Sequence, residues 1–477
     1  MQELPYDSSD PHSIARYAKQ LIDISLRESL ADTSLLNLLV KGKGTLGQMI
    51  EEYYFYYKPN STAGPDFPDA GLELKTTPLL SDKKAIFKAK ERLVFNIINY
   101  ETEHSNEFQE SSFWKKNQLL LLMFFLYERE KQDIDQVFKL VNLFRFPAID
   151  LKIIKDDWEK IREKIRTGKA HEISEGDTFY LGACTKGANS NSTRRQPYSD
   201  IQAKQRAYSL KPKYVNIIIQ KILKGEDKLI DETEGYRTVL NSLIVEDPLV
   251  KYSVKSKEGE LSPIVKTLSD YKRNETIEDL IIRLFQPFYG YSENDLFEKL
   301  NLTKSKAKSR FYNLAKAILN VNAQKIEEFE KADIQLKTII LEPSGKLKES
   351  MSFPQIKYTH IIEEKWEDSE FFEQISKRFF FVIFKKNING EPIFKKVMFW
   401  NMKAKDLETI QHVWLDTQSK ISKGDFNHFI KISNKMIGHV RPKAANALDT
   451  MLTHLGTYEK KKCFWLNSDY VLEAITG

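Results

Sequence analysis

A chain of 477 residues exceeds one ordinary hydrophobic core and predicts two or three domains. Its 41% apolar and 12% aromatic content excludes a disordered protein, and its net charge of +6 permits a polyanionic partner without demanding one. The two cysteines, Cys184 and Cys463, form no Cys-x-x-Cys pair, which excludes a disulfide framework and a zinc finger and fits a reducing cytoplasm.

The N-terminal residues carry no basic and apolar signal, and the longest apolar run, Leu119 to Tyr127, falls short of the roughly 18 residues of a spanning helix. No membrane association is therefore expected. Asp10 and Pro11 open a predicted helix with Ile14, Tyr17, Ala18, Leu21 and Ile22 on one face. A basic, Gly-rich turn (Lys41 to Gly44) precedes a second helix with Leu46, Met49, Ile50, Tyr53 and Tyr54 on a stripe and Glu51 beside it. After a loop to Asp66, a strand over Gly71 to Thr76 would put Glu73 and Lys75 on one face and Leu72 and Leu74 on the other. A second strand is predicted over Arg92 to Asn99. Lys88, Lys90 and Arg92 lead into it as a row of cations, suited to a DNA backbone or to an ordinary guarded sheet edge.

Helices are predicted over Trp114 to Lys131 and Trp158 to Lys169. Gly176 to Lys213 changes character. Lys186, Arg194, Arg195, Lys204, Arg206, Lys211 and Lys213 are interleaved there with Asn189, Asn191, Tyr198 and Tyr208, a mixture used for groove reading and phosphate contacts and also common on solvated surface. Residues 225–274 read as a linker, and a second structured region begins near Thr276.

Chemistry concentrates in Pro65 to Thr76, PDFPDAGLELKT, where Asp66 precedes Glu73 and Lys75 follows it. Two carboxylates supply the oxygen ligands that Mg²⁺ takes, and an ammonium can orient a nucleophile and offset transition-state charge. Taken alone, Glu-x-Lys also describes a surface ion pair worth ~0–1 kcal/mol.

An internal repeat adds weight. GLELKT (71–76) recurs as DIQLKT (333–338), and CTKGAN (184–189) as RPKAAN (441–446). Lys75 and Lys186 are 111 residues apart, and Lys337 and Lys443 are 106 apart. Tyr214 follows Lys186 by 28 residues, as Tyr470 follows Lys443 by 27. The copies differ in their acids: Gln335 stands for Glu73, Glu328 for Asp66, and Leu314 or Ala315 near the Glu51 position.

PDFPDAGLELKT, with LGQMIEE upstream and KERLVFNIINYE downstream, resembles the GATC-specific type II restriction endonucleases that share a nuclease domain with the mismatch-repair nickase MutH. The resemblance runs along both copies. It implies an α/β, mixed-sheet PD-(D/E)xK restriction-endonuclease-like fold present twice, with a catalytic domain at 1–224, a linker at 225–274 and a degenerate DNA-binding domain at 275–477. By this resemblance Glu51, Asp66 and Glu73 would bind Mg²⁺ and Lys75 would assist the nucleophile. Lys186 would read bases, with Asn189, Tyr214, Lys90, Arg92, Arg194 and Arg195 also at the DNA. Lys443, Asn446 and Tyr470 would serve the second copy. Cys184 and Thr185 depart from Arg441 and Pro442, which leaves open which side chains besides Lys186 read bases.

The expected activity is hydrolysis of double-stranded DNA at GATC leaving 5′-phosphates, by a monomer or a transient pair on DNA, alongside a methyltransferase protecting the same site. A one-strand mismatch-repair nickase and a non-cleaving DNA-binding protein are the alternatives. The histidines show no paired spacing for an HNH-type site, and no P-loop is present.

Overall fold

The computed structural model describes residues 4–30, 46–58, 64–82, 84–187, 192–225, 261–303, 307, 309–446 and 448–476. The first half is built on β1 (Glu73–Ser81), β2 (Phe87–Ala89), β3 (Leu93–Ile97), β4 (Leu120–Leu126) and β5 (Val137–Phe144). Four of these form one sheet in the order β2-β1-β4-β5, with β1 and β4 parallel and the other pairs antiparallel. β4 is apolar at every position and buried along most of its length, because a central strand covered on both faces has no polar side. The helix predicted to reach Lys131 therefore ends at Asn117, and its second part is this strand. An unbroken apolar run of that length does not distinguish strand from helix by periodicity.

The helix Ala148–Arg166 starts earlier than predicted and buries Leu151, Ile154, Trp158, Ile161 and Ile165 on one stripe. Its Asp157 accepts N–H bonds from Phe179, Tyr180 and Leu181, which fixes the entry to β6 (Leu181–Thr185). β6 and β3 flank β9 (Arg206–Leu210) in an antiparallel sheet, and β7 (Thr193–Gln196) and β8 (Ser199–Lys204) form a hairpin. The cation row expected along one strand does not form. Lys88 lies in β2 and Arg92 precedes β3, so the chain turns between them.

Packed structure resumes at β10 (Leu261–Ser262), which pairs with β11 (Lys325–Ile326). Ile264 and Val265 are buried and donate their N–H groups to Glu328. The expected linker thus overlaps structured chain from Leu261 onward, and most of its remainder lies outside the described residues.

The second half contains β12 (Gln335–Leu341), β13 (Met351–Gln355), β14 (Phe379–Lys386), β15 (Pro392–Trp400), β16 (Gly438–Pro442), β17 (Thr450–Leu452), β18 (Tyr458–Lys460) and β19 (Lys462–Leu466). The order β12-β14-β15 has the pairing directions of β1-β4-β5, and β13-β19-β16 those of β3-β9-β6. Local geometry matches too. Leu72 donates its N–H to Phe67 and Ile334 to Phe329, after Gly71 (φ 61°) and Asp333 (φ 50°) have turned the chain through the left-handed region.

The halves share a core. Phe179 of the first half packs on Phe399 of the second. The Lys331 ammonium, 5% exposed as a residue, lies 2.7 Å from Asp150 and 2.9 Å from Glu327. Arg378 donates to the Asp177 carbonyl and to Glu278. A buried cation is tolerable only when paired and hydrogen-bonded, so these contacts fix how the halves meet. Among the described residues no helix is long and apolar enough to cross a membrane.

Candidate active site

The site is assembled at the head of β1. Strand alternation buries Leu74 in the apolar core and turns Glu73 and Lys75 to the other face, where Lys75 Nζ lies 2.5 Å from Glu73 Oε1. The turn from Phe67 to Leu72 closes with two backbone hydrogen bonds and brings Asp66 back beside the strand. There Asp66 Oδ2 accepts the Leu74 N–H at 3.0 Å, while the Asp66 N–H donates to Glu73 Oε2 at 3.1 Å. The Glu73 carboxylate is thus held by the Asp66 backbone, and the Asp66 carboxylate by the backbone of Leu74, the residue after Glu73.

Glu51 comes from the widened turn Ile50–Tyr54 that continues the helix Leu46–Met49, whose buried Leu46, Met49, Ile50 and Tyr54 anchor it. Such π-type turns accumulate at functional sites. Glu51 is pushed up to about 7 by burial first, then by the charges of Asp66 and Glu73. Glu73, 1% exposed, is also pushed up to about 7, by burial against the opposing pull of Lys75. The three acids repel one another in a poorly solvated place.

One member escaped the sequence. Lys116, on the helix Ser112–Asn117, places Nζ 3.5 Å from Glu73 Oε1 and 3.9 Å from Asp66 Oδ1. The helix predicted through Lys131 hid it. The available signal was Ser111 as an N-cap before a short Phe113/Trp114 turn, which ends the helix ahead of the β4 run and sets Lys116 at the entry to the neighbour of β1.

No three His, Cys, Asp or Glu side chains among the described residues form a ready-made metal cluster. A divalent cation nevertheless fits the donors. The Lys116 ammonium stands between Asp66 and Glu73, and Mg²⁺ needs only one or two carboxylates beside water and phosphate oxygens.

The residues expected at DNA divide. Lys186 is exposed just beyond β6, and with Arg92, Lys213 and Lys377 it lines a cavity of about 420 Å³ between the halves. Arg92 is 2.7 Å from Glu175. Lys90 is exposed over the Tyr127 ring at 4.1 Å. Arg194 and Arg195 are exposed on β7, Arg194 donating to Gln205, and Asn189 lies outside the described residues.

Tyr214 is a correction. At 2% exposure it donates its hydroxyl to Asp150 and packs on Tyr180 and Lys331, so it braces the junction of the halves and cannot offer its ring to DNA. Arg206 and Lys211, counted in the basic stretch, are also buried, donating to the carbonyls of Ala183 and Ala332.

In the second half Lys443 donates to Ser352 Oγ and the Phe353 carbonyl, and Arg441 stacks 3.8 Å from the Trp465 ring centroid. Asn446 is exposed and accepts the Leu448 N–H. The Tyr470 hydroxyl donates to Asp406 and is engaged internally. Gln335 occupies the register of Glu73 and donates to Gln374 at 2.6 Å. Gln374 sits in the helix Glu370–Ile375, capped by Ser369 as Ser111 caps the helix of Lys116. An amide pair replaces the ion pair. Glu328 is buried on the Ile264 and Val265 N–H groups and pushed up to about 7 by burial, and Leu314 and Ala315 are core residues.

Comparison with known proteins agrees with this geometry. Residues 55–157 and 318–412 match the family model described as DNA mismatch repair enzyme MutH. The chain is 33% identical over 488 aligned residues to the type II restriction enzyme Sau3AI of Staphylococcus aureus, covering 91% of this chain and 93% of that one. It is 26% identical over 160 residues to the DNA mismatch repair protein MutH of Buchnera aphidicola subsp. Baizongia pistaciae (strain Bp), covering 33% of this chain and 71% of that protein.

Proposed function

The chain belongs to the type II restriction endonucleases that carry MutH-like nuclease domains, and on that premise we propose that it hydrolyses both strands of duplex DNA at GATC. The observation that carries the reading is the convergence of Asp66, Glu73, Lys75 and Lys116 at the head of β1.

Glu51, Asp66 and Glu73 would hold Mg²⁺, which when bound polarises a phosphoryl oxygen and eases deprotonation of water. The reciprocal bonds between Asp66, Glu73 and Leu74 preorganise the acids before substrate arrives. Lys75, already on Glu73, is placed to orient the attacking water and to offset charge developing on the phosphorus centre. Lys116 opposes the same charge from the other side of Glu73. Water oxygen bonds to phosphorus, the 3′-oxygen leaves and takes a proton, and the products are a 5′-phosphate and a 3′-hydroxyl.

Lys186 suits guanine O6 and N7 in the major groove. Lys90, Arg92, Arg194 and Arg195 flank it. The matching strand orders and registers support two copies of one nuclease domain, the second at 275–477 extended back to Leu261. Its exposed Arg441, Lys443 and Asn446 suit DNA binding without cleavage. One catalytic site per chain implies sequential nicking or transient pairing on DNA, in a cytoplasm where a methyltransferase protects the host's own sites.

The test is a digest of unmethylated and GATC-methylated plasmid with Mg²⁺ or EDTA, with the ends sequenced. Mg²⁺-dependent fragments beginning with 5′-phosphates at GATC are expected. Specific binding without cleavage would overturn the reading in favour of a binding protein, and persistent single-strand nicks in favour of a nickase.

A further inference from the structure

Glu103 ends the short helix Tyr100–Glu103 and is 0% exposed. Among the described residues its carboxylate meets neutral donors. Oε1 accepts the Trp158 indole N–H at 2.7 Å and the Tyr208 hydroxyl at 3.0 Å. Oε2 accepts the Ser112 hydroxyl at 2.9 Å and its backbone N–H at 3.4 Å. Ser112 opens the helix that carries Lys116, and Asn117 closes it. Asn96 joins those two ends, donating to Ser112 Oγ at 3.0 Å and accepting from Asn117 Nδ2 at 3.1 Å. Tyr208 lies in β9 opposite Ala183 of β6, the strand that leads to Lys186. The buried acid thus ties the helix of Lys116 to the sheet of Lys186 and, through Trp158, to the helix Ala148–Arg166.

The second half keeps the frame and drops the network. Tyr100 donates to the Lys204 carbonyl as Tyr358 does to the Lys460 carbonyl, which sets Ile361 at the position of Glu103. By strand register Phe464 stands for Tyr208 and Pro354 for Asn96, and Glu370 and Ile375 bound the helix in place of Ser112 and Asn117. The aromatic packing is common to both. Phe108 lies on Trp158 and Phe113 on Tyr208, as Trp366 lies on Trp414 and Phe371 on Phe464. The same frame closes over an isoleucine, and burying a carboxylate away from a cation costs free energy that an apolar side chain does not. Folding therefore does not account for the acid. We propose that Glu103 is a positioning residue for DNA cleavage, holding the helix Ser112–Asn117 so that Lys116 reaches Glu73 and Asp66. This rests on the reading that Lys116 takes part in cleavage.

The test uses the full chain and measures single-turnover cleavage of a GATC duplex at saturating enzyme with Mg²⁺, and affinity for the same duplex in EDTA. Glu103→Gln keeps an oxygen for Trp158 and Tyr208 and turns an amide donor toward the Ser112 N–H. Its cleavage rate should fall at least about tenfold while affinity stays near the parent. Ser112→Ala leaves Glu103 its core partners and should show a smaller loss of the same kind, which covers the case of a Glu103 variant that does not fold. In a Lys116→Gln chain neither substitution should slow cleavage further, because an effect transmitted through Lys116 disappears with it. Losses that multiply with that of Lys116→Gln, or that fall equally on rate and affinity, would make Glu103 a structural residue only and overturn the proposal. Parental rates in both variants, with Lys116→Gln slow, would overturn it as well and leave the role of Lys116 standing. Parental cleavage by Lys116→Gln itself would overturn the reading of Lys116, and the proposal with it.

Discussion

The heads of β1 and β12 share backbone and register and diverge in charge. At the first, Glu51, Asp66 and Glu73 face Lys75 and Lys116; at the second, Gln335 bonds Gln374. The substitution is paired. Removing Glu73 alone would leave Lys116 beside an empty position, and the second half replaces both members with amides that satisfy each other. A hydrogen bond survives where an ion pair was, so the sheet entry keeps its anchor while losing the charge that a dication needs. Glu328 shows the same logic: an acid remains at the Asp66 position, but the Ile264 and Val265 N–H groups hold it in the core.

The comparison can be broken most sharply at Glu73. Glu73→Gln, which copies Gln335, is expected to lower cleavage by at least about a thousandfold while leaving DNA binding near the parent, since a neutral amide keeps the shape and loses the ligand charge. Parental cleavage in a plasmid assay would remove Glu73 from the site.

A smaller effect is expected at Lys116. Lys116→Gln, which copies Gln374, should reduce cleavage about ten- to a hundredfold. It should also move the acid limb of the rate–pH profile upward, because Lys116 helps hold down the Glu73 pKa, already at about 7. An unchanged profile would make Lys116 a structural neighbour only.

Stability should separate the halves by pH. Glu51, Glu73 and Glu328 are each raised from 4.5 to about 7, so the folded state binds protons that the unfolded chain has released. Their contribution is present below about pH 4.5 and is lost as pH rises to about 7, at most about 3 kcal/mol for one such group. Mg²⁺ should raise the Tm more at pH 8 than at pH 5 if the proposed site at Glu51 and Glu73 holds it. Glu328→Gln should flatten the pH dependence of the Tm and leave the Mg²⁺ effect intact. A loss of the Mg²⁺ effect in that variant would contradict the separation.

The smallest change is expected from transplanting the pair. Gln335→Glu with Gln374→Lys, placed in a Glu73→Gln chain, should restore no cleavage, since Leu314 and Ala315 supply no acid and Glu328 remains turned inward. Recovered Mg²⁺-dependent cutting would show that one carboxylate suffices.

The motif Asp66, Glu73, Lys75 was legible because its members lie on one turn and one strand, where alternation dictates which side chains share a face. Glu51 was reachable from its place beside an apolar stripe. Lys116 was not, because the boundary between a short helix and an all-apolar strand leaves no periodicity to read. Tyr214 shows the opposite failure. Its spacing from Lys186 matched that of Tyr470 from Lys443, yet spacing is equally compatible with a ring facing a groove and a ring sealed against Asp150 and Lys331.

By itself the sequence determined the chemical content of this protein: a carboxylate and lysine motif, a recurrence of its GLELKT segment as DIQLKT with glutamine in place of Glu73, and basic stretches at matching intervals. These are properties of residue identity and local order, which short-range alternation converts directly into geometry. Tertiary structure alone decided that Lys116 joins the acids, that Gln374 answers Gln335, that Tyr214 and Lys211 are buried, and that the halves share a core from Leu261 onward. Each depends on partners roughly 40 to 180 residues apart in the chain, whose meeting is set by which apolar faces pack together and leaves no mark on the spacing of residues along it.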